Sequence, residues 1–115
     1  MPRYVVLEHD HPTVHWDLML EDGDVLRTWK LVSPPYAGQD VCATALGNHR
    51  AMYLDYEGPV SRNRGHVVRW DAGIFTWKNN TARHKAVYLD GTQLHGEFTL
   101  ERVAGDDWIA RFFPD

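Results

Sequence analysis

The sequence predicts an all-β, single-domain fold of eight to ten short, mostly antiparallel strands, arranged as a closed or nearly closed barrel or as a sandwich. Three observations predict it. Turn signals recur roughly every ten residues, the spacing of short strands joined by tight turns. The segments between them alternate apolar and polar residues, the period of a strand with two unlike faces. Five tryptophans and five tyrosines suit β structure and leave no convincing helix. Closure of the sheet also removes the edges that such strands otherwise expose.

Each element follows in order. Tyr4 to His9 reads as a strand. His15 to Glu21 alternates cleanly, with Trp16, Leu18 and Leu20 on one face and His15, Asp17 and Met19 on the other. Asp22-Gly23 is a hairpin turn into Val25–Leu31, which Ser33-Pro34-Pro35 terminates. Val41–Leu46 and Ala51–Glu57 are weaker strands. His66–Trp70 and Ile74–Trp77 flank Asp71-Ala72-Gly73, read as a further hairpin. Lys85–Leu89 and Gln93–Arg102 flank Asp90-Gly91. Ala82–Tyr88 could pass for a helix, but its aromatic and β-branched residues favour a strand. Gly105-Asp106 leads into the last strand, Trp108–Phe113.

Composition bounds the rest. The chain has 115 residues, of which 43% are hydrophobic and 24% charged, which excludes a disordered segment and leaves room for one domain, 1–115. A chain of this size buries roughly 65% of its unfolded surface, so it needs no disulfide or metal to fold. No apolar run approaches the ~20 residues of a membrane span, and MPRYVVLEHD does not read as a signal peptide. Cys42 is the single cysteine and cannot form an internal disulfide. It is expected to be a buried apolar thiol, and Trp29, Trp70, Trp77 and Trp108 are expected mostly in the core. A cytoplasmic monomer is expected. The net charge of −4 argues against tight, sequence-independent binding of long duplex DNA, yet leaves room for one phosphate or a strand end.

The sharpest local feature is His9-x5-His15-x-Asp17. His15 and Asp17 share a strand face, and the short loop through Pro12 can return His9 beside them. Two imidazoles and a carboxylate make a usual catalytic-metal shell with positions left open. Such ligands suit Mn²⁺, Fe²⁺ or Zn²⁺, and spacing does not choose among them. The spacing fits plain surface histidines as well. Asp10, next to a ligand, is either support for that ligand or an exposed loop carboxylate. His49-x3-Tyr53 offers two groups able to donate to a phosphate oxygen, or else a turn histidine and a core tyrosine. Arg62-Asn63-Arg64 with Arg69 is a small anion patch or a solvated loop.

Taken together, these motifs resemble the 3′-phosphoesterase domain of bacterial DNA ligase D, the multidomain enzyme of non-homologous end joining. The resemblance covers nearly the whole chain. It starts at Tyr4-Val5-Val6-Leu7-Glu8-His9-Asp10, then runs through His15-Trp16-Asp17, Gly23 to Trp29, His49, Tyr53 and Asp55-Tyr56-Glu57-Gly58. It ends with Val68 to Gly73, Leu94 to Phe98 and Asp107-Trp108-Ile109. The resemblance implies a compact β-barrel and an Mn²⁺-dependent 3′-phosphoesterase that removes 3′-phosphates and 3′-ribonucleotides from nucleic-acid ends. It implies metal ligands at His9, His15 and Asp17, and a phosphate-contacting, catalytic pair at His49 and Tyr53. End-joining repair proteins are the implied partners. The domain is expected to stand apart from the ligase and polymerase modules.

Several positions depart from the family pattern. The family runs His-x-Asp-x-Arg, and its arginine grips the scissile phosphate; this chain has Met19 there. The usual arginine between the two ligand histidines is replaced by the stretch His11-Pro12-Thr13-Val14. No basic residue stands near Asp40-Val41, and the loop after Gly58 is a shorter Pro59-Val60-Ser61-Arg62-Asn63-Arg64-Gly65. Loss of an arginine clamp costs on the order of a hundredfold in rate. Arg50, Arg62 or Arg64 is expected to restore the clamp from another strand. Otherwise the chain is a non-catalytic module that binds a metal and a nucleic-acid end, or a small-molecule enzyme on the same barrel.

Overall fold

The computed structural model describes residues 1–115 and contains nine strands and no α-helix. The strands are β1 (Arg3–His9), β2 (His15–Asp22), β3 (Val25–Leu31), β4 (Val41–Arg50), β5 (Gly58–Pro59), β6 (His66–Asn80), β7 (His84–Gly91), β8 (His95–Ala104) and β9 (Asp107–Pro114). Every strand pairing is antiparallel. The order β1-β2-β3-β4-β9-β8-β7-β6 closes on itself through β1–β6, so eight strands form a barrel and β5 adds to β6 outside it. The expected all-β barrel is the fold. No helix is long and apolar enough to cross a membrane.

Two apolar clusters divide the molecule by side-chain direction. The larger holds 17 buried residues, among them Tyr4, Val6, Leu18, Leu20, Trp29, Phe75, Phe98 and Trp108, and fills the barrel. Trp70 and Trp77 are half-buried against it. The smaller holds Val5, Leu7, Met19, Leu26, Leu54 and Val67. Val5 and Leu7 alternate with Tyr4 and Val6 on β1, so the smaller cluster lies on the outer wall. The excursion from Ala51 to Gly65 covers that wall and plants Leu54 in it. β1 is therefore buried on both faces, which is why it reads as the near-continuous apolar run Tyr4 to Leu7.

Three expectations fail, each for a local physical reason. His66–Asn80 is one strand rather than a hairpin at Asp71-Ala72-Gly73. Asp71 is buried and accepts the Tyr4 hydroxyl at 2.7 Å and the backbone N–H groups of Gln93 and Leu94 at 2.8 and 3.1 Å. Gly73 is there because a Cβ would collide with the Asp90 carbonyl on β7, not because the chain turns. Ala51–Glu57 is not a strand; Ala51–Leu54 is one 3-10 turn that caps the outer cluster. Cys42 is exposed, because the alternation of β4 gives the inner face to Val41 and Ala43.

The Asp71 carboxylate joins β1, β6 and the β7–β8 turn. Replacing it with Ala leaves a buried hydroxyl, the buried Leu94 N–H and the part-buried Gln93 N–H without an acceptor. Asp71→Ala is expected to lower unfolding free energy by on the order of 3 kcal/mol in urea titrations, and Asp71→Asn by less. A loss under about 1 kcal/mol would show that water satisfies those donors instead.

Candidate metal centre and adjoining pocket

The β1–β2 ladder sets His9 opposite His15, Leu7 opposite Asp17 and Val5 opposite Met19. All six point to the outer wall, because their neighbours Tyr4, Val6, Leu18 and Leu20 fill the barrel. The His9 and His15 rings meet edge to face with centroids 4.9 Å apart. Ligand atoms of His9, His15 and Asp17 all lie within 4.8 Å of one another.

Hydrogen bonds fix which nitrogens face inward. His9 Nε2–H donates to the Arg64 carbonyl at 2.8 Å, and His15 Nδ1–H donates to the Thr13 carbonyl at 2.9 Å. A carbonyl only accepts, so each neutral ring keeps its proton there and leaves a bare lone pair on the other nitrogen. Those lone pairs face Asp17: His9 Nδ1 lies 3.7 Å from Oδ2 and His15 Nε2 lies 3.3 Å from Oδ1. Asp17 is buried and its Oδ1 receives no hydrogen bond. Three acceptors thus converge with no protein donor between them, a set that suits a bound cation. Carbonyl-backed histidines are the usual support for metal ligands, and a two-nitrogen, one-oxygen set leaves open positions. Without a metal the same need draws in a proton. Asp17 holds the His15 imidazole above its ordinary pKa, against burial and the charge of Lys30.

One pocket adjoins the centre, with a volume of about 90 Å³. That is several times the ~10–15 Å³ one water needs. His9 and Asp17 form one side, Met19, Val60 and Val67 an apolar floor, and His49, Tyr53 and Arg64 the rest.

His49 reaches this pocket through a β-bulge. Thr28 pairs with Leu46 and Leu26 pairs with His49, so β4 carries one residue more than β3 between these rungs. One extra residue reverses the facing of all that follows. Without it His49 would turn away from the outer wall. Its Nδ1–H donates to the Gly47 carbonyl at 2.9 Å, leaving Nε2 free. A second bulge, at Trp70 on β6, does the same for Val67: Val6 pairs with Asp71 but Leu7 with Arg69. Tyr53 sits on the 3-10 turn, 6.1 Å from the His49 ring. Arg3 holds that turn through Asp55 at 2.6 Å, and Arg69 Nη2 donates to the Leu54 carbonyl at 3.4 Å.

The arginines divide. Arg64 lines the pocket, but its guanidinium donates to the Ser61 carbonyl and hydroxyl at 2.9 and 3.1 Å. Arg50 and Arg62 are exposed and do not line it. Asp10 touches neither histidine ligand by hydrogen bond; its Oδ1 accepts the His66 N–H at 2.7 Å. It closes the 64–66 turn, where Gly65 adopts φ +75° and a Cβ would strike the Asp10 carboxylate. The Thr13 and Arg64 carbonyls, Val60, Val67 and Lys30 are absent from the sequence reading. Only Lys30 left a signal there, as the outward residue of β3 level with Asp17.

The DNA Ligase D 3′-phosphoesterase domain family matches residues 7–102, most of the barrel and the whole of the site. The chain belongs to that family. The multifunctional non-homologous end joining protein LigD of Pseudomonas aeruginosa is 30% identical over 88% of this chain and 13% of its own length. The LigD proteins of Mycobacterium bovis and Mycolicibacterium smegmatis are 29% and 23% identical over 93% and 98% of this chain. The chain spans 13–17% of the length of these relatives. Within the ligase D phosphoesterase family, then, this chain keeps two histidines and an aspartate in ligand-like array while its position 19 is buried and apolar.

Two outcomes are expected. Asp10→Ala frees the turn that presents the Arg64 carbonyl to His9. Mn²⁺ affinity by calorimetry should fall about 10–100-fold, with Asp10→Asn, which keeps an acceptor oxygen, falling less. An unchanged affinity in Asp10→Ala would show that the carbonyl needs no such clamp. The second outcome concerns pH. The raised His15 pKa stabilises the metal-free protein fully below the unfolded value of 6.5, and that stability is lost as pH rises through the folded value. A divalent ion held by His9, His15 and Asp17 would need the neutral ring, so its stabilisation should grow through the same window. Thermal unfolding with Mn²⁺ and with chelator should therefore diverge as pH rises, and parallel curves would contradict this.

Proposed function

We propose that this chain is a divalent-metal-dependent phosphoesterase that processes 3′ ends of DNA or RNA, with Mn²⁺ as the preferred ion and Zn²⁺ as the alternative. The observation that carries the reading is the convergence of His9 Nδ1, His15 Nε2 and the unpartnered Asp17 Oδ1, with His9 and Asp17 lining a pocket of about 90 Å³. Family membership supports it, and the relatives are named as non-homologous end joining proteins.

A divalent ion held by His9, His15 and Asp17 would supply positive charge to a phosphate ester and acidity to a water. Hydrolysis joins a water oxygen to phosphorus, and the bond from phosphorus to the 3′ oxygen breaks. His49, with Nδ1 tied to Gly47, directs Nε2 to the phosphate and, when protonated, donates that proton to the leaving 3′ oxygen. Tyr53 packs on the His49 ring and offers its hydroxyl to the same phosphate. Arg64 borders the pocket as a second cation, while Asp10 holds the turn behind His9. Nucleic-acid 3′ ends are the proposed partners, presented by end-joining proteins to a cytoplasmic monomer.

A second reading is favoured by one observation. Met19 is 2% exposed in the outer cluster where the family pattern has its phosphate-gripping arginine. On that reading the chain holds a metal and a nucleic-acid end without turnover.

Phosphate release from a duplex carrying a 3′-phosphate, or trimming of a terminal 3′-ribonucleotide, should require Mn²⁺. It should fall at least about a hundredfold in His15→Ala. Mn²⁺ binding without release by the unmodified chain would select the second reading, and release unchanged in His15→Ala would place the chemistry elsewhere.

A further inference from the structure

One cation beside the centre has no partner. The β2–β3 register sets Lys30 directly across from Asp17 on the outer wall. Cβ atoms of such a pair lie about 5 Å apart, well within the reach of a lysine stem. Met19 faces Thr28, so Lys30 is also the diagonal neighbour of Met19 on the same face. Diagonal neighbours on paired strands are separated by about 7–8 Å, a distance that long side chains bridge. An arginine at position 19 and a lysine at position 30 would therefore serve the same space.

Lys30 is half-buried, and no carboxylate lies within ion-pair distance of it. The carboxylate level with it, Asp17, turns its oxygens to His9 and His15 instead. The other cations are committed or distant. Arg64 is bonded to Ser61, and Arg50 and Arg62 are exposed, whereas Lys30, itself just outside the pocket lining, is held half-buried level with Asp17. Charge balance points the same way. A terminal phosphate carries close to two negative charges at neutral pH. A divalent ion partly neutralised by Asp17 leaves about one positive charge to meet it, and one ammonium supplies the rest.

We infer that Lys30 binds the terminal phosphate of the substrate and supplies from β3 the positive charge that position 19 lacks. The inference rests on the phosphate-site reading above, and it moves the expected clamp from Arg50, Arg62 and Arg64 to a residue on a neighbouring strand. Lys30 touches substrate rather than metal, so its loss should separate phosphate recognition from metal binding.

The test uses the full chain with Lys30→Gln and Lys30→Arg. Duplexes ending in 3′-phosphate or 3′-hydroxyl are titrated in Mn²⁺, phosphate release is timed, and Mn²⁺ affinity is measured alone. Lys30→Gln should reduce the preference for the phosphorylated end, and the release rate, at least about tenfold. The salt slope of end binding should fall by about one. Mn²⁺ affinity should be unchanged or tighter, since a positive charge has left the vicinity, and Lys30→Arg should restore most of the preference. Wild-type preference and rate in Lys30→Gln would overturn the inference. So would a parallel loss of Mn²⁺ affinity, which would mark Lys30 as structural. If the unmodified chain prefers the phosphorylated end but releases nothing, the phosphoesterase reading fails, while Lys30 is upheld or overturned by the binding arm. No preference in the unmodified chain overturns Lys30 as well.

Discussion

Strand β1 is the constraint on which the rest depends. It pairs with β2 on one side and β6 on the other, and the second pairing closes the barrel. Its inward residues Tyr4 and Val6 enter the main core, and its outward residues Val5 and Leu7 seed the outer cluster. His9 ends the same strand, one step beyond Leu7 on the outward face. Barrel closure and placement of the candidate metal ligand His9 are thus one event. Had β1 slipped by a residue, His9 would leave Asp17 and the apolar residues would exchange faces. The buried apolar area makes such a slip costly, so hydrophobic burial is what holds the donor atoms in place.

The candidate centre sits on a wall rather than in a barrel mouth. A sheet face alone is flat and wet. Here the 51–65 excursion folds over it, seats Leu54 between Val5, Leu7 and Val67, and brings Tyr53 and Arg64 to the pocket. Three tethers fasten this excursion: Arg3 to Asp55, Arg69 to Leu54 and Glu57, and Asp10 to His66. Apart from the part-buried Arg69–Leu54 bond these tethers are exposed, and exposed pairs contribute little to stability singly. Their effect is positional, since they fix where a short 3-10 turn lies against the barrel. A covered wall also lowers the local dielectric, which strengthens each interaction between a bound cation and an anion.

Much of this was legible in the residues. Alternation over His15–Glu21 gave the correct facing of Trp16, Leu18 and Leu20 against His15, Asp17 and Met19, and the β2–β3 and β7–β8 hairpins form as expected, with their turns shifted to Gly23-Asp24 and to Thr92 through Leu94 because Asp22, Asp90 and Gly91 still pair in their strands. The His9-x5-His15-x-Asp17 spacing carried the metal-ligand grouping because two paired strands and a short loop leave few other arrangements. What stayed hidden shares one cause. A β-bulge adds a residue without any compositional mark, so the facing of His49 beyond Gly47-Asn48 and of Val67 before Trp70 could not be read from alternation. The same limit produced the false hairpin at Asp71-Ala72-Gly73. Asp and Gly signal a turn locally, but here each answers a tertiary demand, the Tyr4 hydroxyl for one and the Asp90 carbonyl for the other. Ala51–Leu54 has no helical period to show because a single turn is too short for one.

Position 19 shows how packing and electrostatics trade within one site. A methionine there joins Val5, Leu26 and Val67 and makes the pocket floor dry. An arginine would bring its charge to the same floor but would have to be kept from burial among those side chains. Polar groups stand at the edge instead: His49 on β4 and Arg64 on the covering loop line the pocket, and Lys30 on β3 lies level with Asp17 beside it. The floor then supplies low dielectric and the rim supplies charge. An anion entering from solvent would meet the rim first and would approach the three converging acceptors only through a cation held by them. On this geometry the chain's net charge of −4 does not count against binding a phosphate, because the field that matters is set by the few groups lining one small, partly dry pocket.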